Sequence, residues 1–347
     1  MNAVVARIVG VMVAVVGGVA IGNIISRRPG AMYNCDGELR RYYREYIRLP
    51  DSTQGQLRSN RDANRKRIEM ALGRIGEPLP CGYVIQGSYA MDTIIQASNN
   101  EYDIDDGVVF VAEELVGARG GKLSPRQVRR MVCESLRDSR FNRQPEMRKN
   151  CIRVHYNEGH HVDIPVYRER KGFFGDVYLE IASSDEWKRT HPEGVTDWYN
   201  KAVVAKSPDT GDGRQMRRVT RLLKAFSRSR ASWNMPSGFV ISKLVHEEYV
   251  PHSERDDIAL YETMIAIHGR LHHDLEVEHP VLDEMLTETA EDACMVQFHL
   301  RLGDALKSLS ILFARECSER DAAKAWDAVF GSGYFTDQLL DQGMFRV

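Results

Sequence analysis

Asp103 and Asp105 stand two residues apart in EYDIDDGVVF, and Asp163 sits further along in HHVDIPVY. In an extended segment residues two apart share a face, so the first two carboxylates project together while Ile104 turns toward a core. Carboxylates held side by side repel unless a cation lies between them, and an all-oxygen donor set suits Mg²⁺ or Mn²⁺. Val162, Ile164 and Val166 alternate with Asp163, so a second strand buries one face and presents a third carboxylate on the other. Three carboxylates on adjacent strands can hold two ions about 3.5–4 Å apart, one activating an attacking hydroxyl and one neutralising a triphosphate. Upstream, Gly87-Ser88 falls between a strand and a helical turn, where free backbone N–H groups favour a phosphate. Gly87 lets the backbone approach, and the Ser88 hydroxyl can donate to a β- or γ-phosphate oxygen. An isolated Asp-x-Asp is common in solvated acidic loops, and a Gly-Ser turn is common too. The ordered set of strand, Gly-Ser, helix, Asp-x-Asp strand and later Asp strand is far more specific.

Other side chains compete for roles. Glu101 and Asp106 flank the pair and either could replace one of them in a shifted register, Glu101 sharing the parity of Asp103 and Asp105 and Asp106 pointing to the opposite side. Cys151, His155, His160 and His161 lie within eleven residues, but their irregular spacing across a hairpin disfavours zinc. His161 shares a face with Asp163 and is expected to line the site without binding metal. Tyr89, Trp198 and Tyr199 could stack on bases, although aromatics more often serve a core. Arg214, Arg217, Arg218, Arg221, Lys224 and Arg228 recur at three- and four-residue steps. They form a basic face opposite Val219, Leu222, Leu223 and Phe226, either solvated or partly engaged with triphosphate.

These residues need a scaffold. Residues 36–49 and 57–75 read as helices, with Ile68, Leu72 and Ile75 on one side of the second. Pro78 and Pro80 break the chain, Tyr83–Gln86 is a short strand, and 103–111 is another. Ser124, Pro125 and Gln127 make a capping box with proline at the first helical position, followed by a stripe of Val128, Met131, Val132 and Leu136. Cys151–Tyr156 and His161–Tyr167 read as a hairpin around Asn157-Glu158-Gly159. Helix dominates beyond residue 195, and the loop 206–213 (KSPDTGDG) separates a mixed α/β half from a helical half.

At this point the sequence resembles the nucleotidyltransferase superfamily, and within it the bacterial cGAS/DncV-like nucleotidyltransferases (CD-NTases), most closely those of the DncV type. QGSYAMDT, EYDIDDGVVF, HHVDIPVY, DEWKRTHPEGVTDWYNKAV, RQMRRVTRLLKAFSR and MPSGFVISKLV carry the resemblance, from about residue 32 to about 250. It implies an enzyme that joins two nucleoside triphosphates into a cyclic dinucleotide activating an anti-phage effector. By position it implies Asp103, Asp105 and Asp163 as metal ligands, with Asp163 helping to deprotonate the attacking hydroxyl. It implies Gln86 and Ser88 as phosphate or nucleotide contacts, and Lys224 and Ser237 as triphosphate contacts. The chain departs from the DncV type in ending soon after residue 340, without a longer C-terminal region, and in its apolar N-terminal segment.

Composition bounds the rest. The 347 residues, 43% hydrophobic and 28% charged, describe a globular chain with a buried core. A formal charge of −2 argues against coating long nucleic acid. Six cysteines without CxxC pairing read as reduced thiols in the cytoplasm. Residues 4–25 are apolar for about the roughly 20 residues a bilayer needs, and Arg27-Arg28 follow. They read as an anchor on the inner membrane face, as a mis-called start ahead of Met32, or, least well, as a cleaved signal. The expected architecture is an α/β (α+β) nucleotidyltransferase core with a mixed sheet over residues 32–205, plus a helical lobe over 214–347 and the site between them. The expected function is a cyclic dinucleotide or oligonucleotide synthase using ATP, GTP or both, with two Mg²⁺ or Mn²⁺ ions. Two readings stay open beside it: a linear nucleotidyltransferase acting on RNA, protein or a small molecule, and a catalytically inactive binding module.

Overall fold

The computed structural model describes residues 31–96, 102–117 and 119–344. Glu101 and the apolar segment 4–25 lie outside the described residues, and no helix among those described is long and apolar enough to cross a membrane. Helix α1 (Asp36–Tyr42) continues through a π-helical turn over Tyr43–Ile47 and leads to the long α2 (Asp51–Ile75). The sequence pattern placed the start of α2 at residue 57 because apolar periodicity begins at Leu57. The preceding turns are polar, and they are set by Pro50 with φ −57° and by Asp51 in the first turn, where an acid favours the helix dipole.

One seven-stranded mixed sheet follows: β1 (Gly82–Gln86), β2 (Asp103–Val111), β3 (Glu146–Met147), β4 (Cys151–His155), β5 (His161–Lys171), β6 (Val177–Ser183) and β7 (Glu186–Thr190). Its main path runs β1-β2-β5-β4-β3, with β6 pairing the far half of β5 and β7 pairing β6. Among the described strands only β2 and β5 pair in parallel. The expected hairpin is β4–β5, antiparallel with Arg153 opposite Asp163. Strand β5 runs four residues past the expected end at Tyr167, because Arg168–Lys171 find partners on β6 that a polar stretch does not announce.

Between β1 and β2 sits the one-turn α3 (Gly87–Ala90), and α4 (Pro125–Ser135) lies on the sheet. The Ser124 capping box forms as the sequence indicates, Ser124 N donating to Gln127 Oε1 at 2.8 Å. Val128, Val132 and Leu136 are buried with Leu57, Ile68, Leu72, Ile104, Val108, Phe110, Val162, Ile164 and Val166 in the core beneath the sheet.

The remaining helices are α5 (Pro192–Lys206), α6 (Gln215–Ser227), α7 (Gly238–Glu248), α8 (Asp256–His273), α9 (Ala293–Leu309), α10 (Glu319–Phe330) and α11 (Tyr334–Met344). Their core includes Leu39 and Tyr43 from the N-terminal helical segment together with Leu222, Phe226, Ile241, Met264, Phe298 and Trp326. Thus the first helix packs with the last lobe of the chain.

Helix α6 is buried on nearly all sides, so its basic residues do not make a solvated face. Arg218 lies within the fold, its Nε 2.6 Å from Asp256 Oδ2 and an amino group 2.7 Å from Asp209 Oδ2. Arg221 pairs with Asp92 and with the Tyr43 hydroxyl, and Arg217 binds Asn200 and the Met91 carbonyl. Arg228 alone of the inner set is exposed. Arg218→Ala leaves buried Asp256 with only the more distant Arg40, at 3.4 Å, and is expected to cost about 3 kcal/mol in denaturant unfolding. The double change with Asp256→Ala should restore part of that loss.

Candidate active site

The parallel register of β2 on β5 sets Asp105 directly beside Asp163 and Asp103 beside His161. On its other side Asp105 is paired with Gln86 at the end of β1. Three strands therefore deliver the expected residues to one place. Asp103 is the most open of the trio, with 42% of its side chain exposed against 11% for Asp163. Asp103 Oδ1 lies 3.1 Å from His161 Nδ1, so His161 steadies the first carboxylate.

Arg153 binds Asp163 with both arms of its guanidinium, at 2.8 and 2.7 Å, and reaches to 3.5 Å from Asp103. The sequence reading did not single out Arg153. The signal was present: in a hairpin turning at Asn157–Gly159, Arg153 falls opposite Asp163. Burial, then the charges of Asp163 and Asp103, push the Asp105 carboxyl up to about 7, with Arg153 opposing them. Asp105 is thus the member of the set that most needs a further cation.

Gly87 has φ +66°, and a Cβ there would lie 2.1 Å from Asp105 Oδ2. Only glycine allows the Gly87-Ser88 turn to close against the carboxylate. Gly87→Ala combines left-handed strain of about 1–2 kcal/mol with displacement of Asp105. A shift of about 1 Å at reacting groups can cost about a hundredfold in rate, and steady-state kinetics beside a melting curve should show that larger loss in kcat.

Gln86 accepts a hydrogen bond from the Tyr167 hydroxyl at 2.5 Å. The Tyr167 ring passes over Gly107, where a Cβ would lie 2.3 Å from it. The Ser88 carbonyl accepts from Thr93 N at 2.7 Å, closing the turn.

Lys224 is buried, and its Nζ donates to Thr93 Oγ1 at 2.7 Å. Burial, then the nearby Arg228 and Arg221, bring its ammonium down to about 7. The segment Gly87–Thr93 therefore touches Asp105 at one end and Lys224 at the other. Ser237 is the N-cap of α7, accepting from Val240 N at 3.3 Å, and its neighbour Gly238 lies against the Lys224 side chain.

Several weaker candidates take structural places. Asp106 is buried on the opposite side from Asp105, where Arg65 Nε meets it at 2.8 Å. Tyr199 is fully buried with its hydroxyl on Thr220, Trp198 packs on His246, and Tyr89 lies against the sheet core. His160 stacks between Tyr102 and Tyr156 and bonds Asn60, and His155 faces Glu146, so no zinc set assembles from the hairpin. Among the described residues no three His, Cys, Asp or Glu side chains are already drawn together as a metal cage, Asp163 being held by Arg153.

The family model for the cyclic GMP-AMP synthase DncV-like nucleotidyltransferase domain matches residues 81–167, the stretch from β1 through the Asp163 strand. The whole fold is similar to Vibrio cholerae DncV cyclic AMP-GMP synthase, a prokaryotic cGAS homolog, with a TM-score of 0.70 at 16% identity over 88% of this chain and 97% of that one. It is similar to the Bradyrhizobium diazoefficiens CD-NTase CdnG in complex with GTP, at 0.64 and 17% over 85% and 95%. It is also similar to Escherichia coli MS115-1 CdnC with ATP, at 0.64 and 15% over 86% and 98%. The likeness continues well past residue 250, where the sequence motifs stop, and takes in nearly all of the solved DncV chain rather than ending short of its C-terminal part. Residues 81–167, on the strands that hold the three aspartates, thus match the DncV-like nucleotidyltransferase domain, and the rest of the chain completes the same fold as the solved DncV enzyme.

Proposed function

We propose that this chain is a cyclic oligonucleotide synthase that joins ATP and GTP into a cyclic dinucleotide, by attack of a ribose hydroxyl on an α-phosphate with loss of pyrophosphate, performed twice. The observation that carries this reading is the register of Asp105, between Gln86 and Asp163 and in contact with the Gly87 turn. The substrates are drawn from the similar proteins, DncV having been solved with ATP and GTP and with the linear intermediate pppA(3′,5′)pG.

The residues fit a pair of divalent cations. The donors are all carboxylate oxygens, and the Asp105 carboxyl is held near 7 by burial and then by the negative charge of Asp163 and Asp103, a charge that a cation would relieve. Asp103, Asp105 and Asp163 would hold Mg²⁺ or Mn²⁺, which when bound lowers the pKa of a coordinated hydroxyl and neutralises triphosphate charge. Asp163 is the proposed helper in deprotonating the ribose hydroxyl, oriented by Arg153. Gln86, Gly87 and Ser88 are proposed to receive the phosphates, with Lys224 and Ser237 approaching from the helical side. Electrostatic stabilisation supplies most of the rate, as in phosphoryl transfer generally. The site then lies between a core over residues 32–205 and a lobe over 214–347, and an anti-phage effector protein is the proposed reader of the product.

The test is incubation of the purified chain with each labelled nucleoside triphosphate singly and with all four, in Mg²⁺ or Mn²⁺, followed by phosphatase. A phosphatase-resistant product, absent from the Asp103→Asn/Asp105→Asn enzyme, is expected. Label only in linear or polymer-bound form would sink the cyclic reading. Nucleotide binding without turnover under any of these conditions would favour the inactive binding module.

A further inference from the structure

The hairpin joining β5 to β6 ends in Lys171-Gly172-Phe173-Phe174-Gly175-Asp176, and its two phenylalanines are 97% and 93% exposed. The next most exposed large apolar side chain among the described residues is Ile75 at 67%, so this pair stands apart from ordinary surface apolar groups. The tip is a built turn. Gly172 N donates to Asp176 O at 2.7 Å, Gly175 N donates to Gly172 O at 3.0 Å, and Gly175 adopts φ +83°. The two rings pack edge to face with centroids 5.3 Å apart, and the exposed Val177 extends the apolar surface.

Cations surround this wedge. Arg170 and Lys171 precede it on β5, and Arg189 reaches it from β7. Asp176, the carboxylate at the tip, is engaged by Arg189 at 3.8 Å, and the Arg189 guanidinium lies over the Tyr178 ring. Among the described residues Arg170 and Lys171 have no carboxylate partner. Lys171 lies eight residues beyond Asp163 on the same strand, roughly 25 Å at the rise of a β-strand. The wedge therefore does not serve the reacting nucleotides.

We propose that this tip inserts Phe173 and Phe174 into the interfacial layer of an anionic lipid bilayer, with the flanking cations on the headgroups. Two exposed aromatics on a convex turn have no concavity of their own to fill, and the headgroup–acyl boundary accepts aromatic rings at shallow depth. Basic residues beside them are drawn to the negative potential of an anionic surface within a Debye length. The apolar stretch 4–25, outside the described residues, has the length of a bilayer span, which would hold the tip near a bilayer surface. Docking through this tip places the β6–β7 edge on the membrane and keeps the three aspartates away from it, open to nucleotides in solution. The inference does not depend on the cyclic product.

The experiment is hydrogen exchange on the full chain, with phosphatidylcholine vesicles prepared with and without phosphatidylserine. A local readout is needed because residues 4–25 could carry the whole chain to lipid regardless of the tip. With anionic vesicles, exchange at the amides of residues 173–176 should slow by about tenfold, less so with neutral ones and less at high salt. In Phe173→Ser/Phe174→Ser the slowing should vanish, while the melting temperature and nucleotidyl transfer stay unchanged. Unaltered exchange at the tip with both kinds of vesicle would overturn the proposal. So would slowing that persists in the serine variant, or slowing that follows protein concentration without lipid, which would assign the wedge to a second copy of the chain.

Discussion

Replacing Asp103 and Asp105 together by asparagine is expected to reduce nucleotidyl transfer by about a thousandfold or more, while the metal-free protein becomes more stable at neutral pH. The first half follows from the loss of two of the three proposed cation donors, which Arg153 cannot replace because it brings positive charge without an open coordination position. The second half follows from the electrostatics of the empty set. Burial and two neighbouring carboxylates raise the Asp105 carboxyl from 3.8 to about 7, so the folded chain holds a proton there that the unfolded chain has released. Between pH 4 and 7 the folded state binds more protons, and metal-free stability must fall as pH rises through that window. At about 1.4 kcal/mol per unit the effect is on the order of a few kcal/mol. Asparagine at 105 removes it. Urea unfolding at pH 5 and pH 8, with and without Mg²⁺, reads this directly: the native chain should regain stability at pH 8 when Mg²⁺ is added, and the double variant should not respond. A variant that is inactive and also unfolded would contradict the picture, as would a native chain whose stability ignores Mg²⁺.

Lys224→Met should raise stability at neutral pH and lower activity, an opposition that separates a functional lysine from a structural one. Its ammonium is buried beside Arg228 and Arg221 and falls from 10.5 to about 7, a displacement worth about 5 kcal/mol at 1.36 kcal/mol per unit. Below pH 7 both folded and unfolded chains carry the proton, so the whole penalty for burying the charge is present. Between 7 and 10.5 the unfolded chain holds a proton that the folded chain lacks, and stability rises with pH. Methionine fills similar space without the charge. The gain is offset in part by Thr93, which loses the 2.7 Å hydrogen bond from Lys224, at about 1 kcal/mol. Net stabilisation of roughly 2–4 kcal/mol at pH 7, shrinking toward zero near pH 10, is therefore expected. If Lys224 meets triphosphate, nucleotide binding draws the ammonium back to its charged form and methionine forfeits about a hundredfold in kcat/KM. A stabilised Lys224→Met protein with undiminished kcat/KM would remove Lys224 from the nucleotide contacts.

How much of this was readable beforehand depends on the range of the interaction. Strand parity put Asp103 and Asp105 on one face, and the alternation around Asp163 put it on another strand, both short-range consequences of the backbone period. The Ser124 capping box likewise forms where the residues stand in the chain. Helix α2 was cut short because its opening turns carry no apolar pattern, and β6 and β7 went unseen because their edge is too polar for alternation to show. The basic face of α6 misled for a related reason. Its three- and four-residue spacing describes a helix correctly, but whether a cation meets water or a carboxylate depends on Asp92, Asp209 and Asp256, which approach from elsewhere in the chain.

The residue types and local spacing by themselves determined the three carboxylates, the Gly-Ser turn and the two kinds of element that carry them, because each follows from covalent geometry and neighbours a few residues away. The tertiary structure decided which groups meet. Parallel pairing of β2 with β5 brought Asp163 beside Asp105, the β4–β5 hairpin laid Arg153 across both strands, and packing of α6 buried Lys224 against Thr93. Those contacts join positions up to 131 residues apart. They arise from burial and strand pairing across the whole fold, which no local window of sequence contains.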